Sequence, residues 1–245
     1  LQDKQCYMWF GTIYGLNRYD GYNFRKFENI PGDTLTLGNN NVVSLYQGTD
    51  ETIWIGTSTM LSSYNPAKET FRNYNVSSLQ SVIHDIKEDE EGVLWLATGS
   101  GLFSFDKKTN KTRYVATNDS VRNNIQCILI SKDKNILWLS SEKGIVQLNK
   151  KTGIYKTYIF PFIAFTDISP EISHNIIEDK KGNIWMTTSA NGIYQLNKAT
   201  GKLQSYHVNI ISPSSPQNRI TTQMIEDDDG RLWIGGEGLA IFDPV

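Results

Sequence analysis

The stretch EDKKGNIWMTTSANGIYQLNKATGKLQSY, residues 178–206, contains the pattern that decides the fold of this chain. An acidic turn with a glycine precedes an apolar segment around Trp185, and a second apolar segment ends at Leu196-Asn197. A KATGK turn then leads to a segment that ends at Tyr206. Each segment is about five residues long and rich in β-branched or aromatic residues, which is typical of strands. The stretch therefore predicts short antiparallel strands joined by tight turns.

The same frame occurs six times along the 245 residues. Each copy is centred on a tryptophan, and successive tryptophans are 41 to 48 residues apart: Trp9, Trp54, Trp95, Trp138, Trp185 and Trp233. Each copy divides into four segments, which we call strands A to D, with the tryptophan in strand B. Four-stranded meanders that repeat every roughly 40 to 50 residues pack radially as the blades of a β-propeller.

We predict an all-β chain that forms one β-propeller domain of four-stranded antiparallel blades over residues 1–245. Its repeat units lie at approximately 1–40, 41–80, 81–124, 125–172, 173–219 and 220–245. The first unit lacks most of strand A and the last lacks strand D, so about five and a half blades are expected. Because a propeller protects its terminal edges by closing its ring, we expect this to be part of a seven-bladed ring.

The composition excludes several classes of protein. The net charge of −2 provides no basic excess for nucleic acid. The longest apolar stretch, from Tyr158 to Phe165, is interrupted by Pro161 and is far shorter than the roughly 20 residues of a membrane helix. Cys6 and Cys127 lie about three blades apart and are expected to be unpaired. No segment has the pattern of a phosphate-binding loop, and no cofactor is predicted.

Carboxylates and histidines are the first candidates for chemistry. The acidic turns recur at one place in every blade, so we interpret them as hairpin turns and not as metal sites or catalytic pairs. His84 and His174 each lie 11 residues before a tryptophan, in the strand A expected to line the channel. They would suit a ligand or metal site, but no third His or Cys completes one, and a structural role is favoured. We predict no catalytic residue and no metal.

Loops are the more informative segments, because function usually occupies them. The D-to-A connections at 28–40, 159–173 and 208–219 are long, and they share one face of the propeller with the B-to-C turns. Loop position predicts a saccharide site there, formed by Tyr14, Asn40, Arg122, His174, Asn191 and Arg219. Aromatic faces and planar polar groups suit sugar rings and their hydroxyls.

The connection 159–173 has more apolar residues than a solvated loop should have, with Phe160, Phe162, Ile163 and Phe165. We predict that it contacts another domain or subunit. The alternative is that Phe160 and Phe162 extend strand D of the fourth blade and fold onto the neighbouring blade.

The stretch quoted first, together with EDEEGVLWLATGSGLFSFD and EDDDGRLWIGGEGLAIFD, resembles the two-component regulator propeller repeat. The opening WFGTIYGLNRYDGYNFRKF is similar to its first-blade form in extracytoplasmic sensor regions of hybrid two-component systems of Bacteroidetes. The second unit departs from the pattern at its turn and at Met60, and the fourth at Asn135 and Ser140-Ser141. This resemblance implies a periplasmic sensor that detects a carbohydrate and relays the signal through a membrane helix to a histidine kinase.

The resemblance also implies partners: an oligosaccharide, and further propeller and signalling domains of the same chain, with a homodimer as a candidate assembly. Two other functions stay open. A carbohydrate-active hydrolase or lyase would need acids or a Tyr/His pair on one face at channel depth, and a protein-interaction scaffold would have no small-molecule pocket.

Overall fold

A computed structural model describes residues 1–74, 81–115, 124–141, 143–160, 173–188, 192–206, 221–236 and 238–244, with the backbone alone for 173 and 174. Every regular element in these residues is a β-strand. There are 22 strands: β1 Met8–Thr12, β2 Gly15–Tyr19, β3 Phe24–Phe27, β4 Val42–Gln47, β5 Ile53–Thr57, β6 Leu61–Asn65, β7 Thr70–Tyr74, β8 Ile83–Glu88, β9 Val93–Thr98, β10 Gly101–Asp106, β11 Lys111–Val115, β12 Ile125–Ile130, β13 Ile136–Ser141, β14 Gly144–Asn149, β15 Tyr155–Ile159, β16 Ser173–Glu178, β17 Ile184–Thr188, β18 Ile193–Asn197, β19 Lys202–Tyr206, β20 Thr221–Glu226, β21 Leu232–Gly236 and β22 Leu239–Phe242.

The strands form six separate antiparallel sheets, each within one predicted repeat. Blade 1 is β1-β2-β3, blade 2 is β4 to β7, blade 3 is β8 to β11, blade 4 is β12 to β15, blade 5 is β16 to β19 and blade 6 is β20-β21-β22. Strands in each blade pair in sequence order, which confirms the all-β propeller fold and the meander. The chain divides into two compact units, Leu1–Asn124 and Ile125–Val245. That the whole chain forms one domain stays a prediction.

The apolar core lies between successive blades, and each unit has its own. In the first unit, Trp9 packs with Tyr64 and Phe71 between blades 1 and 2, and Trp54 packs with Phe105 between blades 2 and 3. Burial of aromatic side chains of this size removes about 150–250 Å² each from water, so the interfaces between blades contribute to the stability.

In the second unit the arrangement is the same. Trp138 lies in a cluster with Tyr194 between blades 4 and 5, and Trp185 lies in a cluster with Met224 between blades 5 and 6. The repeat predicts burial of all six tryptophans, and the structure shows it for five of them. Trp233 is partly exposed, and so are Ile225 and Ile241, its partners on the two neighbouring strands of blade 6.

The tryptophan of strand B and an aromatic residue of strand C contact each other between neighbouring blades. In three interfaces the tryptophan of strand B meets, edge to face, the aromatic residue that precedes Asp or Asn in strand C of the next blade. The ring-centroid distances are 5.3 Å for Trp9–Tyr64, 5.6 Å for Trp54–Phe105 and 5.7 Å for Trp185–Phe242. This geometry is favourable for aromatic pairs.

Candidate functional site

The B-to-C turns and the beginnings of strands A lie together at one end of each blade, which we call the B–C face. A recurring hydrogen bond forms these turns. The hydroxyl group of the last residue of strand B donates to the carbonyl oxygen of the first strand C residue or, in blades 2 and 5, of the residue before it, at 2.8–3.1 Å: Thr12 to Gly15, Thr57 to Met60, Thr98 to Gly101, Ser141 to Gly144 and Thr188 to Gly192. This bond explains the Thr or Ser at that position in blades 1 to 5, whereas blade 6 has Gly236 there.

Tyr14 and Asn40, two of the six predicted site residues, lie at the B–C face of blade 1. The side chain of Tyr14 is 71% exposed in the β1–β2 turn. The carbonyl oxygen of Asn40 accepts a hydrogen bond from the N–H of Gly15 at 2.7 Å, which holds both residues at the same edge. The Asn40 Oδ1 accepts from the N–H of Asn29 at 2.7 Å, so this side chain also fastens the loop that precedes strand A.

The other four predicted residues are only partly located. His174 is the second residue of β16, and only its backbone is described. Arg122, Asn191 and Arg219 lie outside the described residues. The structure therefore brings Tyr14 and Asn40 together and does not test the remainder of the site.

The long connection at 28–40 folds onto blade 2. The side chain of Asn73, in the outer strand β7, donates to the carbonyl oxygens of Thr36 at 2.9 Å and Thr34 at 3.3 Å. Leu37 is fully buried in the core between blades 1 and 2. These contacts therefore hold the loop in place at the B–C face of the first unit.

In the connection at 159–173, only the first two residues and Ser173 are described. The ring of Phe160 packs on Tyr194 of blade 5, with centroids 4.9 Å apart. Phe160 thus folds onto the neighbouring blade, as the alternative interpretation predicted. Phe162, Ile163 and Phe165 lie outside the described residues, so contact of this segment with another domain or subunit stays a prediction.

A β-bulge occurs near the start of strand A in every blade from 2 to 6. At each bulge, strand A has one residue more than strand B. This extra residue is Val43, His84, one of Gln126 and Cys127, His174 or Thr222. A bulge turns one side chain away from the alternation of the strand, and bulges are frequent next to functional sites. The two strand A histidines of the sequence both occupy this position, for which the sequence contained no direct signal.

In blade 3, His84 at the bulge lies close to Gly99, in the turn at the B–C face. The position of a Cβ on Gly99, in the β9–β10 turn, is 2.7 Å from Ser81 Oγ, 3.8 Å from His84 Nε2 and 4.0 Å from Asn124 Oδ1. Burial lowers the pKa of His84, and a side-chain hydrogen bond with Asn124 offsets only part of this effect. The imidazole is therefore neutral at pH 7. Sequence reasoning singled out His84 but missed Ser81, Gly99 and Asn124.

The acidic turns lie at the opposite end of the blades, and four of them bind the tryptophan of their own blade. The indole N–H donates to an aspartate six residues earlier: Trp9 to Asp3 at 2.6 Å, and Trp95 to Asp89, Trp185 to Asp179 and Trp233 to Asp227 at 2.8 Å. These four aspartates thus have a structural role within their own turns. No cluster of three metal-ligating side chains occurs within the described ranges.

The pKa values of these aspartates follow from their hydrogen bonds. The indole of Trp233, together with Arg231, lowers the pKa of Asp227 to about 2. Burial by itself raises the pKa of Asp179, but the hydrogen bonds from Trp185 and Asn183 outweigh it and the pKa is below its usual value. Both carboxylates are therefore ionised acceptors at neutral pH.

In blades 3 and 5, a second carboxylate connects the turn to the preceding blade. Glu178, the last residue of strand A in blade 5, accepts hydrogen bonds from Lys132 N–H at 2.8 Å and Ser131 Oγ at 2.7 Å in blade 4. Burial raises the pKa of Glu178, but these hydrogen bonds and the charge of Lys198 together lower it by more, so its pKa is below the usual value. In the first unit, Glu88 accepts from Thr49 N–H at 2.9 Å and pairs with Lys107.

The fold and these turns place the chain in the class of β-propellers, and sequence comparison specifies the repeat. The family model of the two component regulator propeller matches residues 36–59 and 214–238. The chain thus contains this repeat, as the sequence predicted. Among curated proteins, no significant match is found.

Solved structures support the fold. The extracellular domain of a hybrid two component system from B. thetaiotaomicron is 22% identical with a TM-score of 0.69, over 100% of this chain and 39% of that domain. PorZ, a surface component of the type-IX secretion system of Porphyromonas gingivalis, is 15% identical with a TM-score of 0.73, over 96% and 37%. Virginiamycin B lyase from Staphylococcus aureus is 15% identical with a TM-score of 0.71, over 96% and 75%.

At sequence identities of 15–22%, the similarity to these structures establishes only the fold of this chain. The chain spans about two fifths of the length of the first two of these structures. Within the described ranges, no helix has the length and apolar character needed to cross a membrane.

Proposed function

We propose that this chain is part of the periplasmic sensor region of a hybrid two-component system, where it binds an oligosaccharide and relays its presence to a histidine kinase. The observation that carries the proposal is the match of the two component regulator propeller at residues 36–59 and 214–238. Similarity to the extracellular domain of such a system over the full length of this chain supports it. Further propeller and signalling domains of the same chain, and a homodimer, belong to this proposal.

The ligand site in this proposal is the B–C face, with Tyr14, Asn40, Arg122, His174, Asn191 and Arg219. The exposed ring of Tyr14 is available for stacking on a sugar. The loop at 28–40 is held in place beside this face by its contacts with blade 2. A preorganised loop favours binding because less conformational entropy is lost on association.

We propose a binding protein and not an enzyme. Asp89, Asp179 and Asp227 accept hydrogen bonds from tryptophans within their own blades, so these carboxylates serve the fold. The shared fold with virginiamycin B lyase keeps a lyase as the second candidate.

The test is calorimetric titration of the chain with a panel of plant and host-glycan oligosaccharides. We expect binding of at least one of them, and a loss of about tenfold or more in affinity for Tyr14→Ala and Arg219→Ala. Tyr22→Ala is the matched control, because Tyr22 is 92% exposed in the β2–β3 turn, at the other end of the same blade.

Three results would contradict parts of the proposal. No binding by any oligosaccharide would refute carbohydrate sensing. Equal losses for Tyr14→Ala and Tyr22→Ala would place the ligand elsewhere than the B–C face. Shortened or unsaturated products, found by chromatography of the titrated samples, would favour the enzyme.

A further inference from the structure

One face of blade 1 exposes aromatic side chains to solvent. Met8, Tyr19 and Phe24 are cross-strand neighbours on this face, and Phe10 lies on the same side of β1 as Met8. Phe24 is 66% and Phe10 is 42% exposed, and the rings of Tyr19 and Phe24 stack with their centroids 4.6 Å apart. We call these four residues the trailing face of blade 1. Exposed apolar patches of this kind mark interaction sites.

Blade 2 shows what covers a face of this kind. Its equivalent residues, at the same places in strands B, C and D, are Ile53, Ile55, Tyr64 and Phe71. All four are buried. The opposite face of blade 1 covers them, because Trp9 and Phe27 both pack on Tyr64 with centroids 5.3 Å apart. The trailing face of blade 1 is therefore suited to receive the strand B tryptophan of another blade of this repeat.

Blade 6 exposes a tryptophan face of the required kind. Trp233 is partly exposed, and Ile225 and Ile241 beside it are 67% and 53% exposed. We call these three residues the leading face of blade 6. In the other five blades, the strand C residue opposite the tryptophan is polar: Arg18, Ser63, Ser104, Gln147 and Gln195. Because blade 6 has Ile241 at this position, its face is more apolar than those of the other blades.

The turns between strands A and B provide a second matching feature. At four interfaces, a backbone N–H of this turn donates at 2.8–3.0 Å to Gln or Glu at the end of strand A in the next blade: Lys4 to Gln47, Thr49 to Glu88, Lys132 to Glu178 and Lys180 to Glu226. The equivalent donor in blade 6 is Asp228, and the equivalent acceptor in blade 1 is the exposed Gln2. Since Gln2 is uncharged, the acidic turn of blade 6 would meet an amide there and not a second carboxylate.

We infer that the trailing face of blade 1 binds the leading face of blade 6 of a second copy of this chain, so that copies associate head to tail. Both faces are exposed in the single chain, so another molecule supplies the partner. The contact repeats the one between blades 1 and 2, with Trp233 in the place of Trp9 and Tyr19 in the place of Tyr64. Because the two surfaces differ, each copy can bind one partner at each face. The inference goes beyond the proposed function, since this association needs no ligand.

The experiment measures association by sedimentation velocity, without any sugar, at about 1 to 100 µM, where an interface with a micromolar Kd is partly occupied. One double variant alters blade 1, with Phe10→Ser and Phe24→Ser, and the other alters blade 6, with Ile225→Ser and Ile241→Ser. Ile154→Ser is the control, because Ile154 in the β14–β15 turn is 69% exposed, as much as Ile225. Thermal melting confirms folding, and Phe24→Ser or Ile225→Ser alone replaces a double variant that does not fold.

We expect the unaltered chain and Ile154→Ser to form dimers or larger species as the concentration rises. Each double variant should associate about tenfold or more weakly, because it lacks one of the two faces. An equimolar mixture of the two double variants should form a 1:1 dimer that does not extend, because each copy contributes the face that the other lacks.

Three results would overturn this inference. The first is an unaltered chain that stays monomeric throughout the concentration range. The second is a double variant that associates as strongly as the unaltered chain, and the third is a mixture of the two variants that stays monomeric. Because no sugar is present, none of these results bears on carbohydrate binding.

Discussion

Replacing Asp179 by alanine should destabilise the second unit through lost hydrogen bonds. The carboxylate is 2% exposed. Its Oδ2 accepts from the Trp185 indole and from the Asn183 side chain, each at 2.8 Å, and its Oδ1 accepts from the Asn183 N–H at 2.7 Å. The substitution leaves these donors without their acceptor in a place that water reaches poorly.

The magnitude follows from the number of buried donors. An unsatisfied buried donor costs about 1–3 kcal/mol. Trp185 is 1% exposed, so its indole N–H bears the full cost, and the Asn183 N–H adds a similar cost while its side chain can turn to water. We therefore expect Asp179→Ala to lower the free energy of unfolding by about 2–5 kcal/mol.

Two other blades show that the fold itself survives without this aspartate. Gly48 and Ser131 occupy the equivalent turn positions, and the buried Nε1 atoms of Trp54 and Trp138 have no hydrogen-bond partner in the described structure. The variant should consequently fold, with reduced stability, and the loss is measurable by urea unfolding.

The pH dependence provides a second test of the same reasoning. Because the pKa of Asp179 is lower in the folded chain than its usual 3.8, its stabilisation is complete above that value and is lost as pH falls through the folded pKa. The difference in stability between the unaltered chain and Asp179→Ala should thus be largest near neutral pH and decrease below about pH 4.

The matched control is Asp228→Ala, because the side chain of Asp228 is fully exposed in the corresponding turn of blade 6. We expect this variant to unfold at the same urea concentration as the unaltered chain. The reasoning is refuted if Asp179→Ala is as stable as Asp228→Ala, or if its deficit in the free energy of unfolding is the same at pH 7 and at a pH well below 3.8.

Three further predictions concern the interfaces between and within blades. Glu178→Gln should lower the free energy of unfolding by about 1–2 kcal/mol, because an amide is a weaker acceptor for the N–H and hydroxyl of blade 4; a stability equal to the unaltered chain in urea would contradict this. Gly144→Ala should lower the melting temperature far more than Gly153→Ala, because a Cβ at Gly144 would clash with the backbone oxygen of Tyr158, whereas one at Gly153 would meet nothing within 4 Å, although both have positive φ. Trp185→Ala should cost about 3–5 kcal/mol in the same unfolding assay and Trp233→Ala clearly less, because Trp233 is partly exposed; equal losses would show that burial is not the cause.

Much of the fold was predictable from sequence because its signals are local. Short β-rich segments, Gly-containing turns and one tryptophan per repeat indicated blades, and every sheet lies within a predicted unit. The Thr or Ser at the end of strand B was visible as part of a small pair, such as Thr98, but its bond to the carbonyl oxygen across the turn was not.

The candidate site was less predictable. Loop position assigned Tyr14 and Asn40 to one site, and the structure has them at one edge of blade 1, but their role in binding stays a prediction. Loop position did not show that the Asn40 side chain fastens the loop at 28–40. Arg122, Asn191 and Arg219 stay predictions. His84 was recognised by its residue type, whereas its partners Ser81 and Asn124 have no distinguishing pattern in the sequence.

The sequence by itself determined the number of repeats and the strand order within each blade. Only the tertiary structure decided which side chains meet across segments: Glu178 with the turn of blade 4, and His84 with Asn124 beside Gly99. The reason is physical. Turns and strands follow from interactions between near neighbours in the chain, whereas these contacts depend on register and on a single bulged residue. Since side chains alternate between the two faces of a strand, one extra residue redirects a side chain without leaving any trace in the repeat.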